Sequence, residues 1–175
     1  MEGGPLTESS SLYSIGDWIV HHSYGIGQIK EIEVKPIHGE QVPCFRVKTK
    51  DSSFWFPKNR PNNPRIRPVA TPDIVQRVKK KLQKPVREFD SDRKMWKRRI
   101  DEVRAGDDLI ATSQMVRDLT ILRTQRKLNQ TEEKALSHFK DRLLREWAAT
   151  MNTDYETTQL KLNNYLQTHR EEMGV

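Results

Sequence analysis

Apolar and polar residues alternate in the first third of the chain and recur every three or four positions in the rest. Trp18-Ile19-Val20, Gly27–Val34 and Cys44–Lys48 are apolar stretches of strand length. Phe45/Val47 and Phe54/Phe56 keep the two-residue period of half-buried strands, whereas Ile29, Ile32 and Val34 keep it only roughly. Tyr24-Gly25-Ile26-Gly27, Pro36–Glu40 and Lys50–Ser53 carry the turn residues that separate them. Four or five strands in so short a span leave no room for crossover helices. The pattern therefore predicts a small, strongly bent antiparallel sheet or partial barrel.

Lys58–Pro68, with three prolines, predicts an extended connection. Beyond it the period becomes helical. Thr71-Pro72 supplies an N-cap and a first-turn proline, Ile74, Val78 and Leu82 share a face, and Pro85 ends the helix. Asp90–Arg104 predicts a second helix with Trp96, Ile100 and Val103 on one stripe, closed by Gly106. Asp107 or Asp108 caps a third, bearing Met115, Val116, Leu119 and Leu122. Asn129–Thr131 opens a fourth, with Leu136, Phe139, Leu143 and Trp147, and Thr153-x-x-Glu156 is a capping box for a fifth, with Tyr155, Leu162, Leu166 and His169. The expected class is α+β: a polar, disordered tail over 1–11, a β domain over 12–68, and an all-α bundle of about five helices over 69–175.

Charge localises what the pattern does not. The chain of 175 residues has a formal net charge of +7, and 12 of its 31 Lys+Arg lie in residues 71–104 against 6 acidic residues there. Arg77, Lys79–Lys81 and the run Arg93-Lys94-Met95-Trp96-Lys97-Arg98-Arg99 form the excess. Clustered cations track phosphates by releasing counterions, so nucleic acid is the expected acidic partner. Trp96 fits two readings: an indole stacked on a base or pushed into a groove, or a core residue in line with Ile100 and Val103. Trp55 falls between Phe54 and Phe56, so it faces away from the pair, toward solvent and a protein partner or toward a neighbouring packed segment.

The remaining chemistry is thin. His21 and His22 are adjacent in a strand and point to opposite faces, which argues against one shared metal ion. Cys44, the one cysteine, sits in an apolar strand pattern and reads as a buried thiol. Gly25-x-Gly27 lacks the third glycine and following helix of a dinucleotide loop, and nucleotide, zinc-protease and serine-hydrolase signatures are missing. The expectation is a protein that is not an enzyme and that carries no cofactor or metal. Mean hydropathy of −0.84 and no apolar run of membrane length exclude a transmembrane segment. A polar opening and a lone cysteine point to the cytoplasm, and a monomer is expected.

Gly16-Asp17-Trp18-Ile19-Val20, Tyr24–Ile29, Ile37–Glu40 and Phe56-Pro57, followed in order by Trp96–Arg99, Ala105-Gly106-Asp107, Met115–Leu119 and Leu128–Lys134, resemble the CarD/CdnL family of bacterial transcription regulators. The resemblance covers residues 13 to 150. It implies a Tudor-like β module that binds the β subunit of RNA polymerase, with Lys35 and Trp55 on that side. It also implies a helical domain contacting promoter DNA at the upstream edge of the bubble, through Lys94, Trp96, Lys97, Arg98 and Arg99. Such a protein modulates open-complex stability and is nucleoid-associated through the polymerase. Matching Trp96 to the family's wedging tryptophan, the reading adopted, shortens the stretch to Gly106 by one helical turn. An ungapped match puts Asp92 there and makes Trp96 core. Trp55 stands where the family has a basic residue. The alternative function is a protein–protein adaptor whose helices bind a second protein.

Overall fold

The computed structural model describes residues 12–60, 62–85 and 92–172, and the chain divides into two compact units, Met1–Pro68 and Val69–Val175. The expected tail over 1–11 lies outside the described residues.

The first unit is a five-stranded antiparallel sheet. Its strands are β1 (Trp18–His21), β2 (Gly25–Ile37), β3 (Glu40–Thr49), β4 (Ser53–Pro57) and β5 (Ile66–Pro68), in spatial order β4-β3-β2-β1-β5. β4 and β5 are its two edges, so the barrel is partial. The fifth strand comes from the end of the segment expected to be an extended connection. Three residues are too short to show a period, and its closing proline is tolerated because an edge strand needs no ladder N–H there.

β2 and β3 run longer than their apolar stretches because a tight turn joins them. His38 and Gly39, at φ 51° and 85°, make the two-residue connection. Positive φ at both central positions matches the strand twist, and Gly39 adopts it without steric cost. The loose period of β2 also has a cause. A bulge between Ile29 and Glu31 leaves Lys30 unpaired, so Ile29 pairs with Val47 while Glu31 pairs with Arg46. Ile19, Ile29, Phe45, Val47, Phe54, Phe56, Ile66 and Tyr13 fill the core. Gly27 lies where the strands press closest: a Cβ there would stand 2.6 Å from Val47 Cγ1 and 3.0 Å from the Lys48 carbonyl.

The second unit is α1 (Pro72–Leu82), α2 (Arg93–Gly106), α3 (Leu109–Gln125), α4 (Gln130–Met151) and α5 (Tyr155–Glu172) around one core. Thr71 has cap geometry without a side-chain cap bond. The start of α1 is held from α4 instead. The Ala70 amide donates to Glu146 at 2.9 Å, and the Thr150 hydroxyl donates to the Ala70 carbonyl at 2.9 Å. Asp92 caps α2, and Asp108 caps α3 while Asp107 takes the left-handed conformation after Gly106. The earlier start expected at Asp90 lies outside the described residues. Asn129 and Glu132 form a full capping box on α4. At α5 the cap falls one residue later than the Thr153 box: Asp154 accepts from the Thr157 amide at 2.7 Å, and Thr153 instead hydrogen-bonds with Thr158. An aspartate oxygen accepts a cap bond more strongly than a hydroxyl, since it is charged and faces the positive end of the helix.

Candidate functional site

The sequence-selected residues lie on the sheet of one unit and on α2 of the other, all but the buried Trp96 at or near the surface. On the sheet, strand pairing decides the faces. Arg46 pairs with Trp55 on one side and with Glu31 on the other, and Cys44 pairs with Glu33. Trp55, Arg46, Glu31, Glu33 and Lys35 therefore share the face opposite Phe45 and Phe56.

Their side chains form one network. The Trp55 indole N–H donates to Glu33 Oε2 at 3.0 Å, Lys35 Nζ lies 2.7 Å from the same oxygen, and Lys35 also stands 4.6 Å above the indole ring. Arg46 joins Glu31 and lies 3.5 Å from Glu33 Oε1. The Lys35 ammonium first, then the Trp55 N–H and Arg46, hold the Glu33 carboxyl below the usual carboxylate range. Trp55 remains 43% exposed, with its rotamer fixed at both ends. A large amphipathic ring held this way loses little entropy on binding, which suits it to anchor a protein partner. Lys35 and Trp55 are thus together. Glu33 and Arg46 were missed, although the spacing Glu31, Glu33, Lys35 was a legible signal of one polar face.

Elsewhere on the sheet the histidines stay apart in role. His21 is buried against Tyr24 and Phe54, at ring distances of 4.7 and 4.9 Å, and its Nδ1 accepts from the Ser23 and Tyr24 amides. Burial first, then Arg65 and His22, push its pKa down. His22 is exposed. Cys44 is buried, and burial raises its thiol pKa.

On α2 the side chains split. Lys94, Lys97 and Arg98 are exposed, and Lys97 and Arg98 reach Asp101 and Glu102 one turn on, at 3.2 and 3.5 Å. Trp96 points the other way. It is 2% exposed and packs in the core with Val75, Ile100 and Leu119. An indole there cannot stack on a base without leaving the core, so the geometry matches the core half of the two sequence readings, the one the ungapped Asp92 match implies. Asp92 itself is occupied in capping, accepting from the Lys94 amide at 2.9 Å. Arg99 lies 4.7 Å over the Trp96 ring and donates to Asp118 Oδ2 at 2.7 Å. Asp118 also accepts from buried Arg117, whose guanidinium donates to the Lys81 and Lys84 carbonyls at 2.7 and 3.1 Å. One buried carboxylate on α3 thereby ties α2 to the end of α1. Sequence reading missed this network, because Arg117 and Asp118 are adjacent charges that look solvated.

Among the described residues no group of three or more His, Cys, Asp or Glu could hold a metal ion, and no helix is long and apolar enough to cross a membrane.

Comparison with known proteins now gives the surfaces a context. Residues 13–70 match the CarD-like/TRCF RID domain, and residues 77–163 match the CarD C-terminal domain. A Bacillus subtilis (strain 168) protein named "Putative transcription factor YdeB" is 29% identical over 142 residues, covering 77% of this chain and 90% of that protein. With a Tudor-like sheet and a helical unit each matched in turn, the chain belongs to the CarD-like family, a family of transcription factors and not of enzymes.

Proposed function

We propose that the chain regulates transcription by gripping the RNA polymerase β subunit with its sheet and promoter DNA with α2. The polymerase side is the face built by Trp55, Lys35, Glu33 and Arg46. The DNA side is Lys94, Lys97 and Arg98, lying along phosphates near the upstream edge of the bubble. Arg99 shapes this surface through Asp118 and Trp96 holds the helix from beneath, so the DNA contact runs through cations rather than through a wedged indole. Two simultaneous contacts raise the effective concentration of the second, and tighter binding to the open complex shifts promoters toward it. The observation that carries this reading is the exposed, immobilised Trp55 on a nearly neutral sheet, in a chain whose charge excess lies in a different unit.

The test is the lifetime of open complexes on a bacterial promoter with wild type, Trp55→Glu, and the pair Lys94→Glu/Arg98→Glu. Both variants are expected to lose the effect. An unchanged lifetime with Trp55→Glu would remove the polymerase grip from this face.

A second reading, an adaptor whose helices bind another protein, gains support from the burial of Trp96 and from the pairing of Lys97 and Arg98 along their own helix. The salt dependence of duplex binding separates the two. A phosphate-tracking surface weakens steeply with salt, and the α2 charge reversal should flatten that slope. In the adaptor it changes nothing.

A further inference from the structure

Among the described residues seven arginines of the helical unit are matched to carboxylates: Arg98 to Glu102, Arg104 to Asp101, Arg99 and Arg117 to Asp118, Arg126 to Glu132, Arg142 to Asp107 and Arg145 to Asp141. Arg123 and Lys140 are not. They line a cavity of about 410 Å³ between α3, α4 and α5, with Leu136 and Leu166 as its apolar part. Among the described residues neither has a carboxylate within ion-pair distance, and the Lys140 ammonium reaches only Asn163 Oδ1, at 3.4 Å. Glu133 lines the same cavity and bonds to neither. Lys140 is half-buried, and burial first and Arg123 second lower its pKa. Bringing two cations together at a recess where Glu133 bonds to neither costs repulsion, and the half-buried Lys140 loses hydration as well. An entering anion offsets both.

We propose that this recess binds a small phosphate-bearing molecule, with its phosphoryl group between Arg123 and Lys140 and the rest of it against Leu136 and Leu166. A phosphoryl group carries enough negative charge to satisfy both cations, and its oxygens fit the guanidinium fork. The Ser137 hydroxyl and the Gln167 amide, also in the lining, supply further donors. The volume falls in the range of small-molecule sites. Duplex DNA fits less well, because Glu133 sets a fixed negative charge beside the cations, which a lone phosphoryl group can avoid and a chain of phosphates cannot.

The experiment is thermal unfolding of the full chain titrated with inorganic phosphate and with pyrophosphate, against chloride at equal ionic strength. The wild-type midpoint should rise with pyrophosphate by mass action. Arg123→Gln and Lys140→Gln should each weaken the apparent affinity about ten-fold, the scale of one lost hydrogen bond to a charged group. Lys94→Gln on α2 should leave it unchanged. With no phosphate present, Lys140→Met should be at least as stable as wild type. If Lys140→Gln fails to fold, Arg123→Gln decides, since Arg123 is exposed and its loss leaves the packing intact. Three results overturn the proposal. One is no rise beyond that in chloride; another is equal weakening by Lys94→Gln. The third is an Arg123→Gln variant that loses duplex DNA but keeps pyrophosphate, which would make the recess part of a polyanion surface.

Discussion

Trp55 and Trp96 have nearly the same immediate chemistry and opposite situations. Each has a cation over its ring, Lys35 at 4.6 Å and Arg99 at 4.7 Å, and in each case that cation is bonded to a carboxylate, Glu33 or Asp118. Yet Trp55 is 43% exposed and Trp96 is 2% exposed. On the sheet the carboxylate lies at the surface and the indole is held out. In the bundle the carboxylate is buried and draws the arginine down over the ring. A tryptophan amid basic residues is therefore not a nucleic-acid signature in itself. What decides is whether the carboxylate partner sits inside or outside.

If the two indoles differ as described, Trp96→Ala should have the largest effect. Removing a fully buried indole should destabilise the helical unit by about 3–5 kcal/mol in denaturant unfolding. A cost under about 1 kcal/mol would return Trp96 to the surface. Next is Asp118→Ala, which strands Arg117 and leaves the α1 carbonyls held by an uncompensated guanidinium. A loss of about 3 kcal/mol is expected, with earlier hydrogen exchange at the α1 C-terminus. In the sheet, Gly27→Ala drives a methyl into Val47 and the Lys48 carbonyl and should cost about 1–3 kcal/mol. A neutral result would mean that β2 and β3 separate easily.

A smaller effect follows from His21. Its folded pKa is depressed, so above the ordinary histidine value of about 6.5 both states are neutral and its contribution is flat. As pH falls below that value the unfolded chain takes up the proton first, and the sheet loses stability until the depressed folded pKa is reached. Two amides donating to Nδ1 oppose protonation there. His21→Asn should remove this acid-side slope, read from hydrogen exchange of the β1–β2 amides. Trp55→Ala should change stability least, by no more than about 0.5 kcal/mol, while abolishing the polymerase binding proposed for this face.

Much of the fold was legible because its elements carry local signals. Asn129 with Glu132, Asp108, and the alternation of Phe54 and Phe56 each state their role within four residues. β5 was not legible, since three residues ending in proline show no period and their partner, β1, lies more than forty residues away. The sheet surface was half legible: Lys35 and Trp55 are conspicuous, but Glu33 joins them through the Trp55 N–H, a contact set by register. For α2 the stripe Trp96, Ile100, Val103 was as visible as the basic run around it. Periodicity could not choose between them, because the deciding partner, Asp118, lies on another helix.

The bulge at Lys30 works as a frame correction. A strand is read two residues at a time, and a chain that places Ile29 and Ile32 three apart is out of frame. Leaving Lys30 unpaired resets the count, so that Glu31, Glu33 and Lys35 fall in step with Trp55. Lys30 is therefore the one residue of β2 whose deletion would leave every other cross-strand partnership between β2 and β3 unchanged. The strand would only straighten. An insertion or deletion at a paired position of β2 before Glu31 would exchange the two faces beyond it, setting the exposed Ile32 and Val34 beside the indole and moving Glu31, Glu33 and Lys35 to the face of Phe45.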